Sequence, residues 1–359
     1  MSEVDIEKLL EELRPDIDRA IEKYIPRKID EAYLEFVLGK ARYKYNVDSI
    51  EKMISEPTWN YLDRGGKRWR PALFLLIYEA LGGNTKDVLE LAVIPEFIHN
   101  STIIHDDIED LSKERRGKPA LHLIFGNDVA INVGDVLYFL PFLSIMKNKH
   151  KFSQDKILKA YEICLQELIR VGTGQATDIA WHKGLSNADS VTEEEYLQMC
   201  INKTGCIPRL AGRMAAAIAG RSEEEIELIG NFTESIGVAF QIQDDILNLV
   251  GEEFAARKGG AGEDITEGKR SLLVIHTLKK ASEKDRKRLL EVLNMHTLDQ
   301  KLRDEAIEII NKYGSVEYSK EKARTMVKEA WEEVDKMLPE SKAKQKLKAF
   351  AYYLINREI

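Results

Sequence analysis

Apolar residues recur every three to four positions along most of the chain, which is the period of an amphipathic α-helix. The segment from Pro71 to Leu81 is typical, because its proline suits a first helical turn and it ends before Gly82 and Gly83. No alternating strand pattern of any length occurs, so the predicted fold is all-α. The other predicted helices are 86–110, 128–147, 154–172, 193–218, 222–250, 270–280, 284–294, 300–313, 315–337 and 341–357.

The simplest architecture for these helices is a single large helical bundle around a central cavity, formed as one domain over residues 1–359. Polar loops are predicted at 112–127, 181–192 and 252–269. Pro95 lies inside the predicted helix 86–110, where a proline either kinks the helix or marks its true start.

Composition narrows the class of protein. The chain has 359 residues, 44% of them hydrophobic, and its net charge of -8 argues against a general nucleic-acid binder. Three cysteines without a CxxC pair predict reduced thiols rather than disulfides or a zinc site. The N-terminal segment lacks the features of a signal peptide, and no stretch approaches the roughly 20 apolar residues of a membrane span. We therefore expect a soluble cytoplasmic protein without stable membrane insertion.

Acidic residues cluster at the end of the predicted helix 86–110, in the sequence HDDIED. Asp106 and Asp110 are four residues apart and share a helix face, with Asp107 beside them. Three carboxylates so close repel one another unless a cation lies between them. Oxygen ligands alone suit Mg²⁺, which bridges carboxylates to substrate phosphates. The alternative for this cluster is an ordinary solvated acidic helix end.

A second cluster repeats this arrangement on another apolar helix. Asp244 and Asn248 are four residues apart in FQIQDDILN, and Asp245 follows Asp244. Polar groups on an apolar helix point inward only at a cost, unless they are paired or bind metal. Two such helices facing each other across a cavity would hold several Mg²⁺ ions and grip one diphosphate from both sides.

Basic residues accompany both clusters. Lys67 and Arg70 lie just before a helix start in GGKRWRP, where two cations three residues apart can converge on one anion. Arg115 and Arg116 follow the first cluster, and arginine forks suit phosphate oxygens. His99 lies two helical turns before Asp106 on the same face. Taken singly, the basic groups could be solvated surface runs, and His99 could be a core histidine.

The segment 258–271 is glycine-rich and carries Lys258 and Lys269. It is not a Walker loop, because Gly262 and Gly268 have five residues between them and Arg270 occupies the Ser/Thr position. We interpret it as a flap that brings lysines onto phosphate, with an ordinary flexible loop as the alternative. Further polar groups on otherwise apolar helices are Gln175, Asp178, Lys203 and Thr204.

Six motifs in order resemble the trans-isoprenyl diphosphate synthases, the family of farnesyl and geranylgeranyl diphosphate synthases. The resemblance runs from about Arg42 to the C-terminus. It implies an all-helical isoprenoid synthase-like fold, a homodimer and three Mg²⁺ ions per active site. The motifs are GGKRWRP, HDDIED followed by RRG, GQATD, KTG, FQIQDDILN and GEDITEGKRS.

The resemblance also implies roles for individual residues. The metals that hold the allylic diphosphate would be bound by Asp106, Asp107, Asp110, Asp244 and Asp245. That diphosphate would be contacted by Arg115, Lys203 and Lys269, with Lys258 as the other flap lysine. The diphosphate of isopentenyl diphosphate would be bound by Lys67, Arg70, His99 and Arg116. The path of the cation would be lined by Gln175, Thr204 and Gln241.

Two departures from the family pattern concern these roles. Asn248 stands where an aspartate is common, which weakens the second cluster as a metal site. The flap between Lys258 and Asp264 is about two residues longer than is usual in the family. Lys258 therefore fits its assigned role less well than Lys269 does.

Product length depends in this family on the residues that precede the first aspartates. Ser101 and Thr102 are small, and an aromatic residue at such a position would block a growing tail. Their size favours products of C20 or longer, and we expect geranylgeranyl diphosphate. Ile98 lies along the same path, and Phe97 or Tyr138 could form its floor.

The expected reaction joins isopentenyl diphosphate head to tail, 1'-4, to an allylic diphosphate through an allylic carbocation. A longer- or shorter-chain synthase is the nearest alternative. A class I terpene cyclase would need one diphosphate pocket and would leave GGKRWRP without a task. A silent subunit of a heteromeric synthase would be expected to lose aspartates, and a purely structural bundle would not need two inward clusters.

Overall fold

A computed structural model describes residues 4–250 and 262–355 of the chain. Within these ranges the structure is almost entirely helical, as the periodicity predicts. The expectation that no strand occurs is wrong at one place. A two-residue hairpin pairs β1 (Glu114–Arg115) with β2 (Lys118–Pro119), antiparallel, in the predicted loop 112–127.

The chain divides into two compact units. The first unit runs to Leu165 and includes Leu210–Ile226 and Pro339–Leu347, and the second contains the rest of the chain. Helices that contribute residues to both units are α10 (Gln154–His182), α12 (Cys206–Ala219), α13 (Glu223–Val250) and α19 (Lys342–Ile355). The prediction of a single domain stays a prediction.

The first unit contains the N-terminal helices and the first aspartate cluster. No helix is predicted before residue 71, and that omission is wrong. Asp5, Asp30 and Asn84 each accept a first-turn backbone N–H and so begin a helix. The helices of this unit are α1 (Ile6–Tyr24), α2 (Glu31–Leu38), α3 (Val47–Ile50), α4 (Glu56–Leu62), α5 (Trp69–Ala80), α6 (Thr85–Ala92), α7 (Ile94–Glu109), α8 (Leu121–Phe125) and α9 (Asn127–Asn148), with a π-helical turn at Glu51–Ser55 and a 3-10 turn at Lys149–Lys151.

The predicted helix 86–110 is two helices. α6 ends at Ala92, and α7 begins at Ile94 with Pro95 in its first turn. A proline there lacks only an N–H that would have no partner in the helix, so Pro95 marks a true start.

The second unit contains the second aspartate cluster and the KTG motif. Thr192 begins its first helix through a capping box with Glu195. The predicted helix 154–172 extends ten residues further, to His182. The other elements of this unit are a 3-10 turn at Ala188–Ser190, α11 (Glu193–Cys200), a π-helical turn at Ile201–Gly205, α14 (Glu263–Glu267), α15 (Leu272–Lys280), α16 (Glu283–Asn294), α17 (Gln300–Lys312) and α18 (Ser315–Met337).

The predicted helix 193–218 is helical throughout, but it contains a π-helical turn at Ile201–Gly205, between α11 and α12. Close packing of backbones surrounds this turn. A side chain at Gly174 would collide with the backbone of Lys203, and one at Gly237 would lie 2.8 Å from the Cα atom of Gly205. Wide turns of this kind inside helices are frequent at functional sites, and this one carries Lys203 and Thr204.

One expectation about membranes is wrong. Within the described residues, the stretch Asn127–Lys151 is helical and apolar enough to cross a membrane, with a mean hydropathy of 1.7 over 18 residues. Half of that window is buried inside the protein, and a core helix of a soluble protein passes the same criterion. Length and composition alone therefore do not separate α9 from a membrane span.

Candidate active site

The packing of α7 against α9 positions the first aspartate cluster. Ser101 is fully buried, and its Oγ donates a 2.7 Å hydrogen bond to the backbone carbonyl of Gly134. A side chain at Gly134 would collide with the ring of His105, so this glycine allows the two helices to approach closely. The cluster follows directly, with Asp106 and Asp107 in the last turn of α7 and Asp110 just beyond it.

Asp107 is buried and paired with an arginine. Its side-chain Oδ1 accepts hydrogen bonds from Arg115, from Nε at 2.9 Å and from Nη2. Burial raises the pKa of Asp107, although Arg115 acts in the opposite direction. Asp106 is half-buried and Asp110 is exposed. The three aspartates are predicted to have the same role, but the structure buries them to different extents.

The donors of the first cluster fit Mg²⁺. The Oδ2 atom of Asp107 is buried and lacks a hydrogen-bond partner among the described residues. Burying such an atom costs free energy unless a cation or a water molecule contacts it. Neighbouring donors are carboxylate oxygens, the ligands that Mg²⁺ prefers. Among the described residues, however, no three His, Cys, Asp or Glu side chains are already grouped as metal ligands. Asp106, Asp107 and Asp110 are the residues that would hold the ion, and it would supply positive charge to a bound diphosphate.

The GGKRWRP segment forms a tight loop before α5. Gly65 and Gly66 have φ of 105° and 122°, which favour glycine. Arg68 is the last residue before the helix, and its side chain is 2% exposed. Its guanidinium group pairs with Glu96 at 3.1 Å and with Asp18 at 2.8 Å. Arg68 thus holds the loop in place. The neighbouring cations, Lys67 and Arg70, are the ones predicted to bind a ligand.

Those neighbouring cations are Lys67 and Arg70. Lys67 is half-exposed and forms a 2.9 Å ion pair with Glu7. Arg70 is buried, with its guanidinium carbon 4.2 Å from the centre of the Trp69 ring. Arg116 joins this loop, because its Nη1 donates to the carbonyl of Gly65 at 2.9 Å. The expected convergence of Arg116 with the GGKRWRP loop is therefore present in the first unit.

His99 lies within the electrostatic reach of these arginines. Burial lowers its pKa well below the usual value, and the positive charges of Arg70, Arg116 and Arg115 lower it further. The imidazole is accordingly neutral near pH 7. Four arginines, including Arg68, act on this single histidine, which marks the region as a site for anions.

Tyr61 is a further residue of this region that sequence reasoning missed. Its ring centre lies 5.3 Å from the guanidinium carbon of Arg116 and 5.5 Å from that of Arg64. Burial raises the pKa of Tyr61 to about 12, so its hydroxyl stays protonated. Its position six residues before Lys67 carries no periodic or charge signal that would have singled it out.

In the second unit, Asp245 is a buried acceptor of three hydrogen bonds. Its Oδ1 accepts from Lys269 at 2.7 Å and from Gln241 at 2.9 Å, and its Oδ2 accepts from the hydroxyl of Tyr196 at 2.7 Å. Asp245 is 1% exposed, whereas the adjacent Asp244 is half-buried. The sequence predicts both as metal ligands, and this stays a prediction; in the structure Asp245 is ion-paired with Lys269. The role of Tyr196 was not predicted.

Lys203 and Thr204 join the same region from the π-helical turn. Lys203 Nζ donates to Oδ2 of Asp178, and Thr204 Oγ1 donates to Oε1 of Gln241 at 2.9 Å. Burial would raise the pKa of Asp178, but the charges of Lys203, His182 and Lys269 together outweigh burial and lower the pKa. The predicted residues Lys203, Thr204 and Gln241 are thus brought together.

Lys269 keeps its charge in this setting. Burial acts against the charge, but Asp245 and Asp264 outweigh it, and the pKa of Lys269 lies well above its usual range. Lys269 therefore stays protonated, while Lys203 is ion-paired with Asp178. Gln175 lies half-buried on α10, three residues before Asp178. Lys258 lies outside the described residues.

Comparison with known proteins decides the family. A family model described as polyprenyl synthetase matches residues 51–310, which is more than half of the chain. The chain belongs to the polyprenyl synthetase family. This result confirms the resemblance to trans-isoprenyl diphosphate synthases and the classification as a prenyltransferase.

Individual members of the polyprenyl synthetase family are similar over most of the chain. The short chain isoprenyl diphosphate synthase of Methanothermobacter thermautotrophicus is 38% identical over 294 residues, covering 82% of this chain and 87% of the relative. The geranylgeranyl diphosphate synthase of Methanosarcina mazei is 33% identical over 297 residues, covering 83% and 87%. The crystal structure of geranylgeranyl pyrophosphate synthetase from Pyrococcus horikoshii matches with a TM-score of 0.84 and 32% identity, over 98% of both chains. The all-α fold is confirmed.

The residues expected to set product length in this polyprenyl synthetase differ in their surroundings. Phe97 and Ile98 are buried, and Ser101 is sealed between α7 and α9. Thr102 is half-buried, and its Oγ1 donates to the carbonyl of His99 at 2.7 Å. The ring of Tyr138 lies 5.5 Å from that of His105. Thr102 therefore has the more open side chain of the two small residues.

Proposed function

We propose that this protein condenses isopentenyl diphosphate, head to tail, with allylic diphosphates and stops at geranylgeranyl diphosphate. The observation that carries the proposal is that two adjacent arginines contact two different parts of the site. Arg115 binds the buried Asp107 of the first cluster, while Arg116 binds the loop of GGKRWRP. Two anion sites consequently meet at one dipeptide, as a reaction between two diphosphates requires. A terpene cyclase, which has one diphosphate, would not need the second site.

The allylic diphosphate would be held at the aspartates. Bound Mg²⁺ would neutralise the charge that develops on the leaving diphosphate. Asp106, Asp107, Asp110 and Asp244 would hold the ions, and Asp245 would act through Lys269. Arg115, Lys203 and Lys269 are cations fixed in position before substrate arrives, because each is ion-paired with a buried aspartate.

The acceptor would be held at the basic loop. Lys67, Arg70 and Arg116 would bind the diphosphate of isopentenyl diphosphate, and neutral His99 would contribute a hydrogen bond. After the allylic C–O bond breaks, the double bond of the acceptor attacks the allylic carbon and forms the new C–C bond. The released diphosphate then accepts the proton that the product loses, which restores a double bond.

The length of the product follows from the residues before the first cluster. Ser101 and Thr102 leave no aromatic ring immediately behind the aspartates. The name of the Methanosarcina mazei relative also supports a C20 product. We place the floor of the path at Phe97 or Tyr138.

We also propose three Mg²⁺ ions per active site and a homodimer. The dimer is supported by apolar side chains on the surface of the first unit. On α9, Ile131, Phe139 and Met146 project within one third of the helix circumference and are 44%, 68% and 41% exposed. On α10, Leu158 and Leu165 are seven residues apart and exposed. Light scattering of the purified protein should give twice the chain mass, and Phe139→Glu should reduce it toward the monomer.

A cytoplasmic location without stable membrane insertion completes the proposal. It is supported by three buried cysteines, all free thiols, and by the burial of half of the apolar window in α9. Fractionation of cells that produce the protein should leave it in the supernatant after high-speed centrifugation. Recovery in the membrane pellet after a high-salt wash would contradict the proposal.

The decisive experiment is an incorporation assay. The purified protein is incubated with Mg²⁺, labelled isopentenyl diphosphate and, separately, C5, C10 or C15 allylic diphosphates, and the products are sized. We expect labelled C20 product from at least one starter. Longer products would support the proposed reaction but would show that the residue that stops chain growth lies deeper than Phe97. Hydrocarbon from a C15 or C20 diphosphate alone, without incorporation, would replace the proposal with a cyclase.

A further inference from the structure

Asn248 stands at the position where the second motif departs from the family pattern. It lies in the last turns of α13 and is 5% exposed. Its side-chain Oδ1 accepts a 3.0 Å hydrogen bond from the backbone N–H of Asp264. Its backbone carbonyl, near the end of the helix, accepts a 2.9 Å hydrogen bond from the N–H of Gly262. One residue thus connects the end of α13 to the first turn of α14.

The contacts continue from Asp264 to Lys269. The carbonyl of Asp264 accepts from the backbone N–H of Lys269 at 2.9 Å, and Oδ2 of Asp264 lies 3.5 Å from Nζ of Lys269. Lys269 Nζ then reaches Asp245 at 2.7 Å. Asp245 lies three residues before Asn248 on the same helix. The series of contacts therefore begins at Asn248 and returns to the same helix at Asp245, within the second unit.

The amide group suits this series of contacts better than a metal site. Its oxygen is already engaged by a backbone N–H, and that bond orients it toward Asp264. A carboxylate at 248 could accept the same bond, but it would add a charge next to Asp244, Asp245 and Asp264. Like charges at such spacing oppose one another. The amide oxygen of Asn248 accepts the hydrogen bond without adding repulsion between carboxylates.

We propose that Asn248 is a positioning residue, which holds the backbone of Asp264 and thereby directs Lys269 toward the allylic diphosphate. The proposal rests on the proposed function for the task of Lys269. It assigns no metal contact to Asn248. The asparagine in this motif is then a tether for the segment that carries Lys269, rather than a weakened metal ligand.

The direct test is hydrogen exchange at the amide of Asp264 in the protein without substrate. In the unaltered chain this amide should be protected. In Asn248→Ala its exchange should accelerate about ten-fold, the scale of one lost hydrogen bond, while Asn248→Asp should keep the protection. Asn148→Ala removes another buried asparagine, in the first unit, and should leave this amide unchanged. An unprotected Asp264 amide in the unaltered chain would overturn the proposal even if the variants fail to fold.

Kinetics separate the tether from a metal ligand. If Asn248 is a positioning residue, Asn248→Ala should raise KM for the allylic diphosphate about ten-fold. The half-saturating Mg²⁺ concentration should stay within two-fold of that of the unaltered protein. Asn248→Asp still accepts the N–H of Asp264, so its KM should lie closer to that of the unaltered protein than the KM of Asn248→Ala does. A rise in the Mg²⁺ requirement of Asn248→Ala with unchanged Asp264 exchange would instead make Asn248 a metal ligand. If no variant and no unaltered protein incorporates isopentenyl diphosphate, the proposed function fails, while the exchange result still decides the contact.

Discussion

The hydroxyl of Tyr196 donates to Oδ2 of Asp245 at 2.7 Å, and both side chains are buried. Burial and the nearby charge of Asp245 raise the pKa of Tyr196 well above its usual range, so the hydroxyl remains a donor. Lys269 uses the other oxygen of the same carboxylate. Tyr196 therefore fixes the rotation of Asp245 and, through it, the direction of Lys269.

Tyr196→Phe should lower turnover about ten-fold or more while the protein still folds. The substitution keeps the ring and removes one hydrogen bond to a buried carboxylate, a change of about 1–3 kcal/mol. Steady-state kinetics with the allylic diphosphate varied would measure it.

Tyr24→Phe provides a matched control. Tyr24 is a fully buried tyrosine of the first unit whose hydroxyl donates to Glu90 at 2.5 Å. Both variants should lose a similar amount of stability, but only Tyr196→Phe should lose turnover. Equal turnover in the two variants would show that the Tyr196 contact serves stability alone.

Asp106→Ala and Asp244→Ala should each lower turnover by at least ~10²-fold, the scale for removing one preorganised electrostatic group. Asp155→Ala changes an exposed aspartate in the first turn of α10 and should keep normal turnover. The incorporation assay at saturating Mg²⁺ measures all three. Near-normal turnover in both site variants would remove the aspartates from the metal site.

Ser101→Phe should shift the product toward C15 and also destabilise the protein. Ser101 is fully buried and bonded to Gly134, so a phenyl ring must push α7 and α9 apart, at a cost of about 1–3 kcal/mol. Ser101→Ala removes only the hydroxyl and should keep the C20 product. Thermal unfolding and product sizing together test this. A stable Ser101→Phe protein with an unchanged product would place the floor elsewhere.

Glu90 should make the stability of the protein depend on acid pH. Burial acts against its charge, but hydrogen bonds from Lys23 and Tyr24 outweigh it and lower the pKa to about 2. Because this folded-state pKa lies below the usual value, the stabilisation is complete above about pH 4.5 and is lost as pH falls toward 2. Urea unfolding at pH 6 should show Glu90→Gln less stable by about 2–3 kcal/mol. That difference should narrow between pH 4.5 and pH 3, and a constant difference would contradict the shift.

Local features of the fold could be predicted, because they depend on neighbours in the chain. The helical period and the end of α9 follow from residues within a few turns, and Pro95 left two alternatives for the helix that contains it. The clustering of Asp106 with Asp110 was also predictable, since four-residue spacing places two groups on one helix face. Unpredicted helices occur before residue 71, where Pro15 and Pro57 obscure the period although one lies inside α1 and the other in the first turn of α4.

Individual roles at the site depended on partners that are distant in the chain. Tyr196 is 49 residues from Asp245, and Arg68 is 28 residues from Glu96. No spacing rule connects such positions, so the sequence could not separate Asp245 from Asp244 or Arg68 from Lys67. The π-helical turn at Lys203 likewise depends on the close approach of Gly174, which belongs to another helix.

The sequence by itself determined that the chain is helical and that carboxylates and cations are spaced to bind diphosphates. Both properties are local, because a helix face is set by intervals of three and four residues. Only the tertiary structure decided which of these charged groups are buried against one another. Burial makes an unpaired charge costly, so the partners that folding supplies determine which charged side chains can be buried. Arg68 is buried against Asp18 and Glu96, and Asp245 is buried against Lys269.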